Sequence, residues 1–436
     1  MPTTTPVFLE EYHHLHPADL ADRLQRVPAD EATAILQQLP RSLAAAALSE
    51  LERAQAAELL AVLPSEALAG LLQELPPNAA ADLAGAMPPK ARRTALAALP
   101  AEKAAPISAL LRHRPDTAGG IMTDRLIALR ADLTVQAGQE LLRARAEQRP
   151  EEVSYLYITD EQGRLIGIVP LRDLVFSRPE RRMGEIMNRD VKFLRVEDDQ
   201  EEIARQFEHY HYLGMPVLDR EGRLVGVVKA NDALHVAQAE ATEDMQLMVG
   251  LSGEERALTP WQKSIGRRLP WLYVNLGTAF LAASVVSLFE NTIARWTALA
   301  VFLPIIAGQG GNAGMQTLTV IIRDLALGEL TPGDGRKALL KELMLGLVNG
   351  LAIGLVVGVA GFLWKGSVAL GVVAMLAMLL NQVSAALAGV AIPFGLKALR
   401  VDPALASSIF VTTVTDVAGF FFFLGLAVLA MRWVGA

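Results

Sequence analysis

Hydrophobic positions divide this chain of 436 residues into two parts of different character. The second part contains long apolar stretches, which lie at about 269–289, 297–322, 339–363, 368–396 and 404–431. Each reaches the roughly 20 residues that an α-helix needs to cross the hydrocarbon core of a bilayer. The pattern therefore predicts a five-helix transmembrane domain over residues 267–436.

A shorter hydrophobic period marks the N-terminal part. Apolar residues recur every twelve positions, at Val27, Leu39, Leu51, Leu63, Leu75, Met87 and Leu99. Proline follows each of them except Leu51, which is followed by Glu52. Because proline suits the first turn of a helix, this spacing predicts short helices that stack as a superhelical repeat. We assign residues 1–115 to this all-α domain, and leave open whether it is an inert scaffold or a regulatory domain that moves on ion binding.

A strand–turn–strand pattern occurs twice in the next region. Residues 155–173 read YLYITDEQGRLIGIVPLRD, and residues 214–232 read GMPVLDREGRLVGVVKAND. Both copies predict two strands around an Asp/Glu/Gly turn, followed by the start of a helix. The doubled pattern resembles a tandem pair of CBS domains, an α+β fold that we place at 116–185 and 186–232.

The resemblance to CBS domains raises the question of nucleotide binding. CBS pairs often bind adenine nucleotides through a Gly-x-x-Ser/Thr-x-x-Asp element. Here Pro170 and Lys229 replace the two hydroxyl residues, whereas Asp173 and Asp232 remain as ribose partners. The resemblance therefore leaves ATP binding open, beside a role of the pair in dimerisation and ion sensing.

Acidic residues cluster in the CBS region and along a polar, largely helical connector predicted over 233–266. Hard divalent cations prefer oxygen ligands, so these carboxylates are candidates for a regulatory cation site. Solvated helix faces and charges at helix N-termini would produce the same pattern. The candidate ligands are Glu197, Asp198, Asp199, Glu240, Glu243, Asp244, Glu254 and Glu255.

Composition and charge narrow the function. The chain has a net charge of -7 and most of its charged residues lie in the soluble part, which disfavours nucleic acid as a partner. The chain contains no cysteine, so it has no disulfide framework and no thiolate zinc site. The first residues lack the features of a signal peptide, and we therefore expect the soluble part in the cytoplasm. No nucleotide-hydrolysing motif or catalytic residue set is visible, which argues against an enzyme.

Basic residues fall on alternate sides of the apolar stretches. Lysines and arginines precede the first stretch and follow the second and fourth, whereas the other two loops hold only Arg295 and Lys365. The positive-inside rule then places the N-terminus in the cytoplasm and the C-terminus outside. We expect a multi-pass protein of the plasma membrane or inner membrane.

Two of the apolar stretches carry polar groups that an inert anchor would not need. The second contains the run PIIAGQGGNAGMQ over 304–316, and the last contains the carboxylate of Asp416. A charge at the bilayer centre costs roughly 2.5–3.5 kcal/mol on insertion scales. The pattern indicates transport of something polar, and the carboxylate favours a cation.

These residues resemble the MgtE family of magnesium channels, and the order of helical repeat, CBS pair, connector and five spans matches over essentially the whole chain. The resemblance implies a homodimer in which two copies of the fifth helix line an Mg²⁺ pore, with an ion site at Asp416. It also implies a connector that acts as a plug when cytosolic Mg²⁺ binds. The candidate pore residues are Asp416, Asn312, Gly311, Gln316, Ala406, Thr412 and Glu290.

Some positions depart from the family pattern. Ser408 and Ile409 replace a Gly-Pro pair near the start of the fifth span, and His211 and Lys229 weaken an acidic sensing site in the second CBS copy. The leading interpretation is potential-driven Mg²⁺ influx across a lipid membrane, gated by cytosolic Mg²⁺. Two alternatives stay open: an ion-coupled carrier or exporter of Mg²⁺ or of another divalent ion such as Co²⁺, and a non-conducting CBS-based membrane sensor.

Overall fold

The computed structural model describes residues 12–51, 53–148, 153–253, 255, 257, 259, 261–405 and 407–434. They belong to two compact units, Met1–Ala237 and Gln238–Ala436. The first unit contains the helical repeat and the CBS pair, and the second contains the membrane helices.

In the described part of the first unit, eight short helices repeat along the chain. They are α1 Pro17–Leu24, α2 Ala29–Gln38, α3 Arg41–Glu50, α4 Arg53–Val62, α5 Ser65–Glu74, α6 Pro77–Ala86, α7 Pro89–Ala97 and α8 Ala101–Leu110. From α1 to α6, each packs against the helix two places further along, as expected for a superhelical repeat.

Proline and leucine mark the helix ends in this repeat. Each repeated proline that the structure describes lies at the N-cap, one position earlier than a place in the first turn, with φ between about −52° and −61°. Its carbonyl accepts the first helical hydrogen bond, as from Ala32 N–H to Pro28 at 2.9 Å. The apolar residue before each proline ends the preceding helix or follows it closely, and most of these side chains are buried.

The CBS pair contains two sheets with the same topology. Its elements are α9 Ala118–Ile121, β1 Ala128–Arg130, α10 Val135–Gln148, β2 Tyr155–Thr159, β3 Leu165–Pro170, α11 Leu171–Phe176, α12 Met183–Ile186, β4 Leu194–Arg195, α13 Gln200–Tyr210, β5 Gly214–Leu218 and β6 Leu224–Lys229. In each sheet the first strand is parallel to the second, and the second is antiparallel to the third. The turns need glycine, because Gly163 and Gly222 have φ of +77° and +80°. The predicted CBS pair is therefore confirmed.

Helix α14, Ala230–Met248, follows the last CBS strand, and the membrane helices come after it. They are α15 Trp261–Ser287, α17 Ala298–Ala326, α18 Gly335–Lys365, α19 Val368–Ala398 and α20 Ser407–Val434, with a short α16 at Glu290–Arg295 and a 3₁₀ turn at Pro332–Asp334. Five helices in the described residues are long and apolar enough to cross a membrane, as predicted. Helix α15 begins earlier than its apolar stretch, because the basic segment before it is also helical.

Helix α19 is the centre of the membrane bundle, since it packs against α17, α18 and α20 and is the most buried of the five. Glycines bring its backbone close to that of α18. A Cβ on Gly354 would lie 2.8 Å from the carbonyl oxygen of Met375, and one on Gly358 would lie 2.8 Å from that of Gly371. Small residues at helix interfaces permit this approach in membranes.

Candidate ion path and regulatory sites

The glycine-rich run of α17 contributes to two faces of the helix. One face is buried: a Cβ on Gly310 would overlap the amide of Asn381 in α19, and one on Gly314 would lie 2.5 Å from Cγ1 of Val411 in α20. The opposite face is uncovered, because Gly308 has open space around it, and Asn312 and Gln316 are exposed. Only part of the run therefore serves helix packing within the chain.

Helix α20 also presents two faces. Val411 and Thr415 are buried and lie near Gly314 of α17. Thr412 and Asp416 are half-buried on the adjoining face. The Thr412 hydroxyl donates to the carbonyl of Ser408 at 2.9 Å, so the helix itself satisfies it.

The carboxylate of Asp416 lies deep in its span. It is nine residues from the start of α20, or roughly 14 Å at the rise of an α-helix. Among the residues that the structure describes, none forms a hydrogen bond or ion pair with this carboxylate. A charge at this depth costs free energy unless water solvates it or a cation neutralises it.

The uncovered face of α17 and the half-buried face of α20 meet where the two helices pack together. The methyl Cγ2 of Thr412 lies 3.7 Å from the position of a Cβ on Gly311. We name the polar strip the set of Gly311, Asn312 and Gln316 on α17 with Thr412 and Asp416 on α20. It combines amides, backbone and one carboxylate, which are ligands suited to a hydrated cation.

Two predicted pore residues are not part of the polar strip. Ala406 lies outside the described residues. Glu290 is the exposed first residue of α16. The ring of its neighbour Phe289 lies 6.3 Å from the ring of Phe421, which follows Asp416 by five residues in α20. Glu290 therefore belongs to the opposite end of the bundle from Thr412.

Asn381 is a polar residue that the sequence analysis did not assign to the site. It is fully buried between α17 and α20, and its Nδ2 donates to the carbonyl of Ile306 at 2.9 Å. Gly310 and Gly419 leave the space that its amide occupies. The sequence feature that could have identified it is an asparagine in a long apolar stretch, in a protein whose other apolar stretches carry glycines.

An acidic pair lies at the connector. Asp244 of α14 is half-buried, and burial, followed by the nearby charges of Asp402 and Glu243, raises its pKa to about 6. Asp402 lies five residues before the start of α20 and accepts a hydrogen bond from Ala404 N–H at 2.7 Å. Asp402 was not among the predicted ligands, although an acid beside the proline before a span is a visible signal. A bound cation would relieve the repulsion between such neighbouring carboxylates.

Glu255 has a structural role in the same region. Its backbone N–H donates to Oε1 of Gln246 at 2.9 Å, and its buried carboxylate pairs with Arg268 at 2.8 Å. A hydrogen bond from Ser264 and the charge of Arg268 lower the pKa of this carboxyl. Glu240 lies on α14 with Glu243, and Glu254 lies outside the described residues.

The acidic residues of the CBS pair have local partners. Glu197 pairs with Arg220 at 2.8 Å, which lowers the pKa of its carboxyl. Asp198 accepts from the N–H of Arg195 at 2.8 Å, and Asp199 caps α13. Nowhere in the described part of the chain do three or more His, Asp or Glu residues gather as a metal-binding group.

A cleft of about 130 Å³ lies between the two CBS copies. Its lining includes Tyr155, Ser154 and Lys229. Neither Asp173 nor Asp232 lines it: Asp173 pairs with Arg172 at 3.3 Å, and burial raises the pKa of Asp232. The predicted ribose partners are therefore not on the walls of this cleft.

Comparisons with known proteins agree with this architecture. The family model MgtE, described as a divalent cation transporter, matches residues 303–426, the MgtE intracellular N domain matches 15–116, and the CBS domain matches 118–180 and 183–239. The magnesium transporter MgtE of Thermus thermophilus is 38% identical over 336 residues, which are 76% of this chain and 73% of that protein. The chain belongs to the MgtE family.

Further relatives support the same assignment. The magnesium transporter MgtE of Enterococcus faecalis is 34% identical over 333 residues, covering 76% of this chain and 73% of the relative. A crystal structure of the cytosolic domain of the Mg²⁺ channel MgtE in complex with ATP covers 53% of this chain and 95% of its own, with 37% identity and a TM-score of 0.50. The resemblance and the fold class predicted from the sequence are thus confirmed, and the chain is a membrane protein of a magnesium-transporter family.

Proposed function

We propose that the chain forms a homodimeric channel for Mg²⁺, with the polar strip as its ion path. The observation that carries this proposal is Asp416, a half-buried carboxylate deep in a span with no hydrogen-bond or ion-pair partner among the described residues. Mg²⁺ dehydrates reluctantly and keeps several waters when proteins bind it. Amides, backbone carbonyls and carboxylates can hold such a hydrated ion without stripping it.

A twofold axis beside the polar strip would complete the path. In an isologous dimer the same surface of each subunit faces its copy, so two Asp416 carboxylates would lie across one pore. The dimer also removes the cost of exposing Asn312 and Gln316 to lipid, because their amides would line water.

We further propose that Mg²⁺ flows inward along the membrane potential. The distribution of basic residues among the loops supports an N-terminus in the cytoplasm and a C-terminus outside. Moving two charges across 100 mV is worth about 4.6 kcal/mol, which drives accumulation without a chemical energy source.

Gating is proposed at the acidic pair of Asp244 and Asp402. A cytosolic Mg²⁺ at this pair would remove the repulsion between the two carboxylates and hold the end of α14 against the start of α20. Two observations support a mechanical link: the Ser408 hydroxyl donates to the carbonyl of Met248, and a Cβ on Gly250 would lie 3.3 Å from Cδ1 of Ile409. Ion occupancy at the connector would then act directly on the helix that carries Asp416.

Flux into proteoliposomes tests the ion path. Vesicles with the wild type, Asp416→Asn or Asp416→Ala are given a set potential and low internal Mg²⁺, with Asp324→Asn as a matched control at the end of α17. We expect potential-driven Mg²⁺ uptake in the wild type and the control, and its loss or strong change in both Asp416 variants.

The alternatives give different results in the same assay. Uptake that requires a sodium or proton gradient would indicate a carrier. Preferential uptake of Co²⁺ over Mg²⁺, when both are present outside the vesicles, would indicate another substrate. Absence of flux from an intact wild-type dimer would overturn the channel proposal and favour a non-conducting sensor.

An adenine nucleotide is a second candidate ligand, for the CBS cleft. Tyr155 offers a ring for stacking and Lys229 a cation for phosphate, and the solved relative was crystallised with ATP. Calorimetry of the full chain with ATP should show binding that Tyr155→Ala and Lys229→Ala weaken at least several-fold, whereas Lys192→Ala, outside the cleft, leaves it unchanged. Equal affinity in all variants would exclude this cleft.

A further inference from the structure

Glu342 is a buried carboxylate in the membrane bundle that the proposed ion path does not use. It lies on α18 with about 5% of its surface exposed. Its Oε2 accepts a hydrogen bond from the hydroxyl of Thr317 on α17 at 2.8 Å, and its Oε1 pairs with Nζ of Lys341 at 2.8 Å. Ionisable residues inside a membrane protein are costly, so one held by specific partners calls for a functional explanation.

Thr317 is held tightly on its other sides. A Cβ on Gly389 of α19 would lie 2.7 Å from Cγ2 of Thr317 and 3.1 Å from the carbonyl oxygen of Gly314. The side chain of Thr317 therefore fills a notch in α19 while its hydroxyl reaches α18. This threonine joins three helices at one level of the bundle.

Helices α17 and α18 meet at few other positions. At the opposite end of α17, Phe302 packs near Gly361, and its ring lies 6.2 Å from that of Trp364. Those contacts are apolar and tolerate small rotations. The hydrogen bond to Glu342 is directional, so it constrains the rotation of the other half of α17, together with the close packing of Gly310 and Gly314 on α19 and α20.

The rotation of α17 decides where the polar strip points. Gln316 is the neighbour of Thr317, about 100° around the helix, and Asn312 lies one turn away on the same face as Gln316. We propose that Glu342 is a positioning residue, which acts through Thr317 to aim the amides of Asn312 and Gln316 into the ion path. This inference rests on the proposed function of the polar strip.

Thiol accessibility tests the orientation without requiring transport. The chain has no cysteine, so Gln316→Cys introduces a single thiol. Its reaction rate with a membrane-impermeant cationic methanethiosulfonate is measured in four backgrounds: wild type, Thr317→Val, Thr317→Ser and Glu342→Gln. Valine keeps the shape that fills the notch but removes the donor, whereas serine keeps the donor and glutamine keeps an acceptor.

We expect Thr317→Val to change the reaction rate at least threefold, and the two conservative variants to stay within twofold of the wild type. Thr319→Val is the matched control, because Thr319 is exposed on the same helix and donates only to Met315 of its own helix. Equal rates for Thr317→Val and Thr319→Val, in preparations that remain monodisperse, would overturn the proposal.

Flux provides the second measurement. A positioning role predicts that Thr317→Val shifts the Mg²⁺ concentration for half-maximal flux several-fold, and that Thr317→Ser restores it. Loss of maximal rate alone, with that concentration unchanged, would show that Thr317 only stabilises the fold. If the wild type showed no flux but Thr317→Val still changed the thiol reaction rate, the orientation by Glu342 would be supported and the channel refuted. The failure of one proposal is therefore distinguishable from the failure of the other.

Discussion

Replacement of Gly310 by alanine should destabilise the membrane domain, because the new methyl group would overlap the amide of Asn381. That amide is confined on the side of α20 as well. A Cβ at Gly419, on its other side, would lie only 2.8 Å from Nδ2 of Asn381, so the space there is also full. Movement would also break the 2.9 Å hydrogen bond from Nδ2 to the carbonyl of Ile306.

The magnitude follows from three contributions. Overpacking of a filled core costs about 1–3 kcal/mol. Loss of the Asn381 hydrogen bond adds about 0.5–1.5 kcal/mol. Alanine is favoured over glycine inside a helix by about 0.5–1 kcal/mol, which offsets part of this cost. We therefore expect Gly310→Ala to lower the free energy of unfolding by about 0.5–4 kcal/mol.

The double variant Gly310→Ala with Asn381→Ala makes the prediction specific. Asn381→Ala alone loses the hydrogen bond and leaves a small cavity, but it also removes Oδ1, which has no hydrogen-bond partner among the described residues. In the double variant the new methyl group occupies part of that cavity. The combined loss should be smaller than the sum of the single losses by at least about 1 kcal/mol, as expected for residues in contact.

Thermal unfolding of the purified protein in detergent measures these differences. Gly308→Ala is the control, because it lies on the same helix with nothing within 4 Å of the added Cβ. The reasoning would be refuted if Gly310→Ala unfolded at the same temperature as Gly308→Ala, or if the two losses simply added in the double variant.

Two further predictions concern the connector and the CBS pair. Because the pKa of Asp244 is raised to about 6, protons should compete with Mg²⁺ for its carboxylate, so inhibition of flux by cytosolic Mg²⁺ should weaken as the pH falls from 7 to 5. In Asp244→Asn this inhibition should not depend on pH, and a pH dependence identical to that of the wild type would exclude Asp244. Gly222→Ala should destabilise the chain by about 1 kcal/mol, because a φ of +80° is strained for alanine although there is open space for its methyl group. An unchanged melting temperature would contradict this prediction.

The candidate site shows how far hydropathy reasoning reaches. The glycine run and Asp416 were identifiable, because glycines, amides and carboxylates are conspicuous in apolar stretches. The division of α17 into a face for Gly310 and Gly314 and a face for Asn312 and Gln316 was not. Length and hydropathy identify a span, but they contain no information about its rotation, which depends on which neighbour packs against it.

The acidic residues illustrate the same limit outside the membrane. Glu197 and Glu255 looked like free ligands in the sequence, yet arginine partners hold both. Asp402 was not predicted as a cation ligand, although the fold brings it near Asp244. The two residues are more than a hundred positions apart in the chain. Carboxylates become a cation site only when the fold brings them together, and charge runs along a chain do not report that.

The modules of this protein can be read from its amino-acid sequence, because each has a period that local physics enforces. Prolines every twelve residues end and begin helices, duplicated strand–turn–strand patterns form two sheets, and five long apolar stretches become helices. Which side chains come into contact depends on the packing of the folded chain. Contacts such as Thr317 with Glu342, or Asn381 between Gly310 and Gly419, join residues far apart in the chain, and close packing between helices selects them.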